Sequence, residues 1–159
     1  MTQLFLRLAR LIAGLAVTAT AVTAAAQTPL AANGVVRVKS AYSFDDTTAR
    51  LKRDIAAKGI QFFSEIDQSA LGARAGVTLR RSTLLVFGNP PLGTQFITAN
   101  PDAGLDWPVR LLVTQDADGA VWAVYSDFDW IARRHGITNR SEQFKTASGV
   151  IASITDSVR

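Results

Sequence analysis

The sequence predicts an α+β two-layer sandwich, with a mainly antiparallel sheet of about five strands and helices packed on one face. Three observations lead there. Apolar residues recur with period 2 in some segments and with a helical period in others, and the two kinds of segment intermingle along the chain. The links between them are short. One link, Asp116-Ala117-Asp118-Gly119, joins two strand-like segments and carries a glycine able to take the positive φ that a tight hairpin requires.

With 159 residues the chain is one domain's worth. Residues are 48% apolar and 19% charged, which fits neither a disordered chain nor a multi-span membrane protein. Residues 1–26 have the three parts of a secretory signal. A basic start carries Arg7 and Arg10, an apolar run extends from Leu11 to Val22, and Ala24-Ala25-Ala26 offers small residues for cleavage after Ala26. Thr18, Thr20 and Thr23 dilute that run below the roughly 20 strongly apolar residues of a spanning helix. The expectation is a periplasmic or secreted protein, with no membrane association after cleavage.

Loss of the leader removes two of the 17 basic residues and none of the 13 acidic ones, so the net charge of +4 falls to +2. So small and scattered a surplus predicts no nucleic-acid binding, and Arg80-Arg81 and Arg133-Arg134 read as solvated element ends. There is no cysteine, which excludes disulfides, thiol nucleophiles and thiolate metal sites. With a single histidine, a histidine-rich zinc site is excluded too, and no metal or cofactor is expected.

Residues 27–34 read as a flexible mature start, and residues 35–159 as one α+β domain. From Val35 to Tyr42, Val36, Val38 and Ser40 alternate with Arg37, Lys39 and Ala41, the pattern of a strand with one wet face. Ser43 begins a capping-box-like start with Asp46, and Phe44, Thr48, Leu51 and Ile55 lay one face of a helix that Gly59 ends. Ile60 to Asp67 is a strand, with Ile60, Phe62 and Ile66 on one side and Gln61, Phe63 and Glu65 on the other. Gln68 to Ala75 is a brief helix. The unbroken apolar run Thr83–Phe87 predicts a strand buried on both faces or nearly so.

Pro91 suits the first turn of a short helix with Leu92 and Phe96 facing inward, which Asn100-Pro101-Asp102-Ala103-Gly104 breaks. Val109–Gln115 and Ala120–Tyr125 form the hairpin. Ser126 or Asp127 caps a helix from Phe128 to His135. The last helix begins near Asn139 and carries an apolar stripe of Phe144, Ala147, Ile151, Ile154 and Val158.

Phe87-Gly88-Asn89-Pro90, Gly93-Thr94, Ala103-Gly104-Leu105-Asp106 with Pro108, and Asp118-Gly119 through Val124-Tyr125 together resemble the signature of the domain-of-unknown-function family 302. Glu65-Ile66-Asp67 and Ala132-Arg133-Arg134-His135-Gly136 match the same pattern, so the resemblance spans about Val35 to Val158. It implies a small α+β fold, often a homodimer, of bacterial or archaeal distribution, and no defined activity. Family members carry histidine after the aspartate that matches Asp67. This chain has Gln68 there, so a proton-transfer or metal role resting on that histidine does not carry over.

The candidate binding residues are Gly88, Asn89, Pro90, Gly93, Thr94, Trp107 and Tyr125. The Gly88–Thr94 loop follows a buried strand and opens a helix, a geometry that either presents backbone N–H groups to an anion or simply makes a tight turn. It has neither the Gly-Lys-Ser/Thr of a nucleotide loop nor a GxGxxG. Trp107, Trp122 and Trp130, with Phe87, Phe96, Phe128 and Tyr125, belong to the core or line a pocket or dimer face.

The weak catalytic candidates are Asp67, Asp106 and His135. Asp67 and Asp106 would matter if they converged, since one carboxyl could then be held protonated as a general acid. Asp102, Asp127 and Asp129 read as caps or turn residues, and Asp116-x-Asp118-Gly119 as hairpin chemistry rather than part of a calcium loop. His135 ends a helix, where its charge would favour the negative end of the dipole, and no Gly-x-Ser-x-Gly nominates a nucleophilic serine. The leading expectation is a non-catalytic binding or interaction domain for a small molecule or protein partner, homodimeric. The alternative is a carboxylate-dependent hydrolase or isomerase with its site near Gly88–Thr94. A third, weaker reading, an apolar small-molecule carrier, requires a cavity of a few hundred Å3.

Overall fold

The structure, a computed structural model, describes residues 33–159, and the expected leader lies outside them. Five strands, β1 (Val35–Lys39), β2 (Gln61–Asp67), β3 (Ser82–Gly88), β4 (Val109–Gln115) and β5 (Val121–Ser126), form one antiparallel sheet in the order β1-β5-β4-β3-β2. The helices are α1 (Phe44–Ala57), α2 (Gln68–Arg74), α3 (Pro90–Ala99), α4 (Phe128–Arg134) and α5 (Ser141–Asp156), with a 3-10 turn at Pro101–Leu105. Among the described residues no helix is long and apolar enough to cross a membrane.

Each element follows from local chemistry. The Ser43 hydroxyl accepts from the Asp46 N–H at 3.2 Å and opens α1. The buried positions of α1 are Phe44, Thr47, Leu51 and Ile55, so Thr47 rather than Thr48 faces the core. The Thr47 hydroxyl lies 2.6 Å from that of Ser40, also buried, and this mutual bond satisfies both groups in the interior. Asp67, Asn89 and Asp127 each accept from an N–H three residues on to cap α2, α3 and α4. Helix α5 begins at Ser141 with Arg140 in the cap position and no side-chain cap, although its stripe of Phe144, Ala147, Ile151 and Ile154 is buried as the spacing predicts, and Val158, just past its end, is buried with them.

The core lies between one sheet face and α1, α3, α4 and α5. Leu85, Leu111, Val113 and Ala123 are fully buried there, and the Phe96 and Phe144 rings stack at 4.2 Å between α3 and α5.

Two expectations for the strands are corrected. Strand β2 does not keep a strict alternation, because an irregularity between Phe62 and Ser64 shifts its register. Phe62 therefore pairs with Phe87 and Glu65 with Leu85, on the helix side, whereas Ile66 pairs with Leu84 on the opposite side. One extra residue in a strand reverses which side chains share a face beyond it. Strand β3 is not buried on both faces: Thr83, Leu85 and Phe87 are buried, but Leu84 and Val86 remain partly exposed. Among the described residues no second layer covers that side. Cross-strand pairing lines up Ile66, Leu84, Leu112 and Val124 as an apolar row across four strands.

Candidate functional site

Three things meet at the Gly88 end of the sheet: the end of β3, the start of α3, and the connection that feeds β4. The connection carries Trp107, followed by a cis bond to Pro108. The indole lies against the backbones of Gly88 and Gly93. A Cβ at Gly93 would fall 1.8 Å from its Nε1, and one at Gly88 would fall 3.1 Å from it. Glycine is required at Gly93 because no larger residue leaves room for the ring. Phe63, displaced by the irregularity in β2, meets Trp107 edge-on at 6.2 Å.

Beside this indole a half-open cavity of about 420 Å3 runs between α3 and α5, within the size range of small-ligand sites. Phe87, Phe96, Val109, Phe128, Val150 and Ile151 give it an apolar wall. Its polar fringe includes Lys58, Asn89, Thr146 and Ser153, and among the described residues no acidic side chain lines it. Lys58 caps the end of α1, and its Nζ donates to Asp54 Oδ2 at 2.6 Å.

Of the binding residues expected from sequence, Gly88, Asn89, Gly93 and Trp107 line this cavity. Pro90, Thr94 and Tyr125 are not among its lining residues. Pro90 opens α3, and the Thr94 hydroxyl donates back to the Pro90 carbonyl at 2.8 Å. Tyr125 projects from β5 toward Thr155, and burial pushes its phenol above the ordinary 10.0. The start of α3 is a tight turn and not an anion nest. Pro90 and Pro91 have no N–H to give, while the Leu92 and Gly93 N–H groups are already bonded to Asn89.

The expected convergence of Asp67 and Asp106 does not occur. Asp67 pairs across from Thr83, whereas Asp106 lies just before Val109, which pairs with Phe87. Four residues of strand, about 13 Å, separate those two levels. Asp67 is exposed and caps α2, and the neighbouring Gln68 Oε1 accepts from the Ser82 hydroxyl at 2.7 Å.

Asp106 is 7% exposed and is held by three basic side chains. Arg110 Nη2 donates at 3.0 Å, Arg134 Nη1 at 3.0 Å, and His135 Nε2 lies 2.7 Å from Oδ2. A carboxylate receiving all these donors is braced as an acceptor. The cluster fastens the connection that bears Trp107 to the end of α4. Asn100 adds a bond from its Nδ2 to the His135 carbonyl at 2.8 Å. Sequence reasoning named both Asp106 and His135 but paired the aspartate with Asp67. Asp67, Asp106 and His135 all sit in motifs of the family resemblance, so the sequence carries no signal that selects Asp106 with His135.

The remaining candidates are structural. Asp127 caps α4, Asp129 is exposed on it, and Asp102 sits in the 3-10 turn, where its N–H donates to Asn100 Oδ1. Asp116 accepts from the Asp118 and Ala120 N–H groups and from Trp122 Nε1, which closes the hairpin. Those donors, the Trp122 indole first, hold its carboxyl below the ordinary 3.8. Arg37 lies over Trp122 and Arg134 over Trp130. Trp107 is thus the tryptophan that lines the cavity.

Comparison with known proteins agrees with this architecture. The model of the family described as "Domain of unknown function DUF302" matches residues 36–154. The chain belongs to that family. A DUF302 protein of Bacillus stearothermophilus, described as an uncharacterized conserved protein, has a solved structure of the same fold. Its TM-score is 0.72 at 16% identity, over 79% of this chain and 98% of that one. Two curated relatives are named fluoride-specific ion channel FluC 1. The one from Brucella suis is 34% identical over 105 residues, which cover 66% of this chain and 41% of the relative. The one from Brucella abortus is 34% identical over 105 residues, covering 39% of its own length. The chain therefore spans about two fifths of the curated relatives it matches.

Proposed function

We propose that this DUF302 chain is an exported, non-catalytic binding domain that holds a small, mainly aliphatic molecule beside Trp107 and acts as a homodimer. The observation that carries the proposal is the cavity of about 420 Å3, apolar-walled and bordered by Trp107, Gly88 and Gly93. Its volume and its mainly apolar wall with a few polar groups at the fringe are those of small-ligand sites. The leader-like residues 1–26 support delivery to the periplasm. The row Ile66–Leu84–Leu112–Val124 supports self-association, because an uncovered apolar sheet face suits a second copy related by a two-fold axis. The carboxylate-enzyme alternative loses its pair of groups, given the separation of Asp67 from Asp106.

Native mass spectrometry of the protein purified from its own periplasm tests this reading. The expected spectrum shows a chain beginning at Gln27, a dimer, and an added small mass lost on collisional activation. A monomer without added mass, still carrying its leader, would refute it.

A second reading comes from the relatives. Proteins named fluoride-specific ion channels match this chain over only about two fifths of their length, so they join a similar domain to further sequence. On that reading the present domain serves an ion channel, in the same chain or beside it. Deletion of its gene should then raise fluoride sensitivity, and unchanged growth in fluoride would dismiss the idea.

A further inference from the structure

We propose that the ligand of the cavity is an aliphatic carboxylate, its head group at the Gly88 end and its chain lying between α3 and α5. This inference rests on the reading of the cavity as a binding site and adds the chemical class of the occupant. Three observations lead to it.

The first is charge. Among the described residues Lys58 is the one ionisable side chain that lines the cavity, and its carboxylate partner, Asp54 on the same helix, lies outside the lining. Its ammonium has three protons, and one is given to Asp54 at 2.6 Å, which leaves two for an incoming acceptor. The second is an unused donor. The Trp107 indole N–H can only donate, borders the cavity, and among the described residues bonds to no protein atom while staying open to solvent.

The third is placement. Gln61 pairs with Gly88, which brings the Lys58–Ile60 corner next to the glycine on which the Trp107 ring rests. Two donors thus stand at one end of a space whose other walls, Phe96, Val150 and Ile151 among them, offer apolar contact. A molecule that is anionic at one end and aliphatic beyond it satisfies both parts. A neutral alkane would leave the indole N–H without a partner, and a cation would face Lys58.

Isothermal titration calorimetry with decanoate, 1-decanol and decyltrimethylammonium tests the assignment. Decanoate is expected to bind at least about tenfold more tightly than 1-decanol, as a charge-assisted hydrogen bond implies. Lys58→Met should bring decanoate down to the affinity of the alcohol, and Trp107→Phe should weaken it in parallel. Circular dichroism would establish that each variant is folded. Gly149→Phe adds a ring at a position that lines the same space and has room for a Cβ, and should abolish binding of decanoate. Equal affinity for decanoate and decanol, tighter binding of the cation, or undiminished decanoate binding by Lys58→Met would overturn the carboxylate assignment while leaving the cavity a binding site. Decanoate binding that survives Gly149→Phe would place it elsewhere and overturn the assignment also. Failure of all three probes to bind would overturn the assignment and the binding reading together.

Discussion

The two faces of the sheet are built from the same strands yet meet different surroundings. On one face Leu85, Leu111 and Ala123 pair across β3, β4 and β5 or lie beside those pairs, and all are fully buried under the helices. On the other, Leu84, Leu112 and Val124 are as apolar but remain partly exposed, and Ile66 at the end of their row is 38% exposed. Apolar side chains alone do not say whether a face is covered within the chain. The helix-covered face carries the domain's own stability, whereas the open face leaves its apolar row uncovered within the described residues.

The largest effect should separate adjacent leucines. Leu85→Ala empties a fully buried site and should cost about 2 to 5 kcal/mol, whereas Leu84→Ala, one residue away on the open face, should cost about 1 kcal/mol or less in the monomer. Urea unfolding of the two variants measures this, and equal losses would break the comparison.

The same contrast should hold for carboxylates. Asp106→Ala leaves His135 buried without its partner and should cost about 2 to 3 kcal/mol, since Arg110 and Arg134 stay half exposed. Asp67→Ala removes only the cap of α2 and should cost about 1 kcal/mol. Thermal unfolding in parallel would rank them.

Leu112→Arg sharpens the comparison by charging the open face. The expected result is a monomer by light scattering, with stability within about 1 kcal/mol of wild type, because surface changes seldom exceed that. A variant that stays dimeric would move the interface elsewhere.

The smallest effect concerns the hairpin at the sheet's far end. Asp116 has its carboxyl held below the ordinary 3.8 by the Trp122 indole and two backbone N–H groups. A depressed carboxylate adds stability above its unfolded pKa and loses it as pH falls through the folded value. The stability difference between wild type and Asp116→Asn should therefore be small at pH 6 and shrink further below pH 4, read by thermal midpoints across that range.

Much of the fold could be read from the chain because its signals are local. Ser43, Asn89 and Asp127 announce their helices through caps, and the Phe144–Val158 stripe needs only its spacing. What escaped depends on tertiary context. The irregularity after Phe62 has no sequence mark, so Phe62 and Ile66 were assigned to one side. The unbroken apolar run Thr83–Phe87 reads the same whether its second face meets a helix, a second copy or water. At the site, the tight turn from Gly88 to Thr94 is legible, but the ring that packs on Gly88 and Gly93 is not. Asp106 and His135 were each visible, and their contact required the chain to fold 29 residues back on itself.

The central claim is that the space beside Trp107 is kept open for a ligand. Gly149→Phe tests it most directly, since that position lines the cavity on α5 and replacing a mid-helix glycine raises helix propensity. Wild type and variant should be purified from the native host and compared by native mass spectrometry and thermal unfolding. The account predicts a folded variant, at least as stable as the ligand-free wild type, that no longer retains the small molecule carried by the wild type. A wild-type protein that carries nothing, or a variant that retains the same molecule, would contradict it.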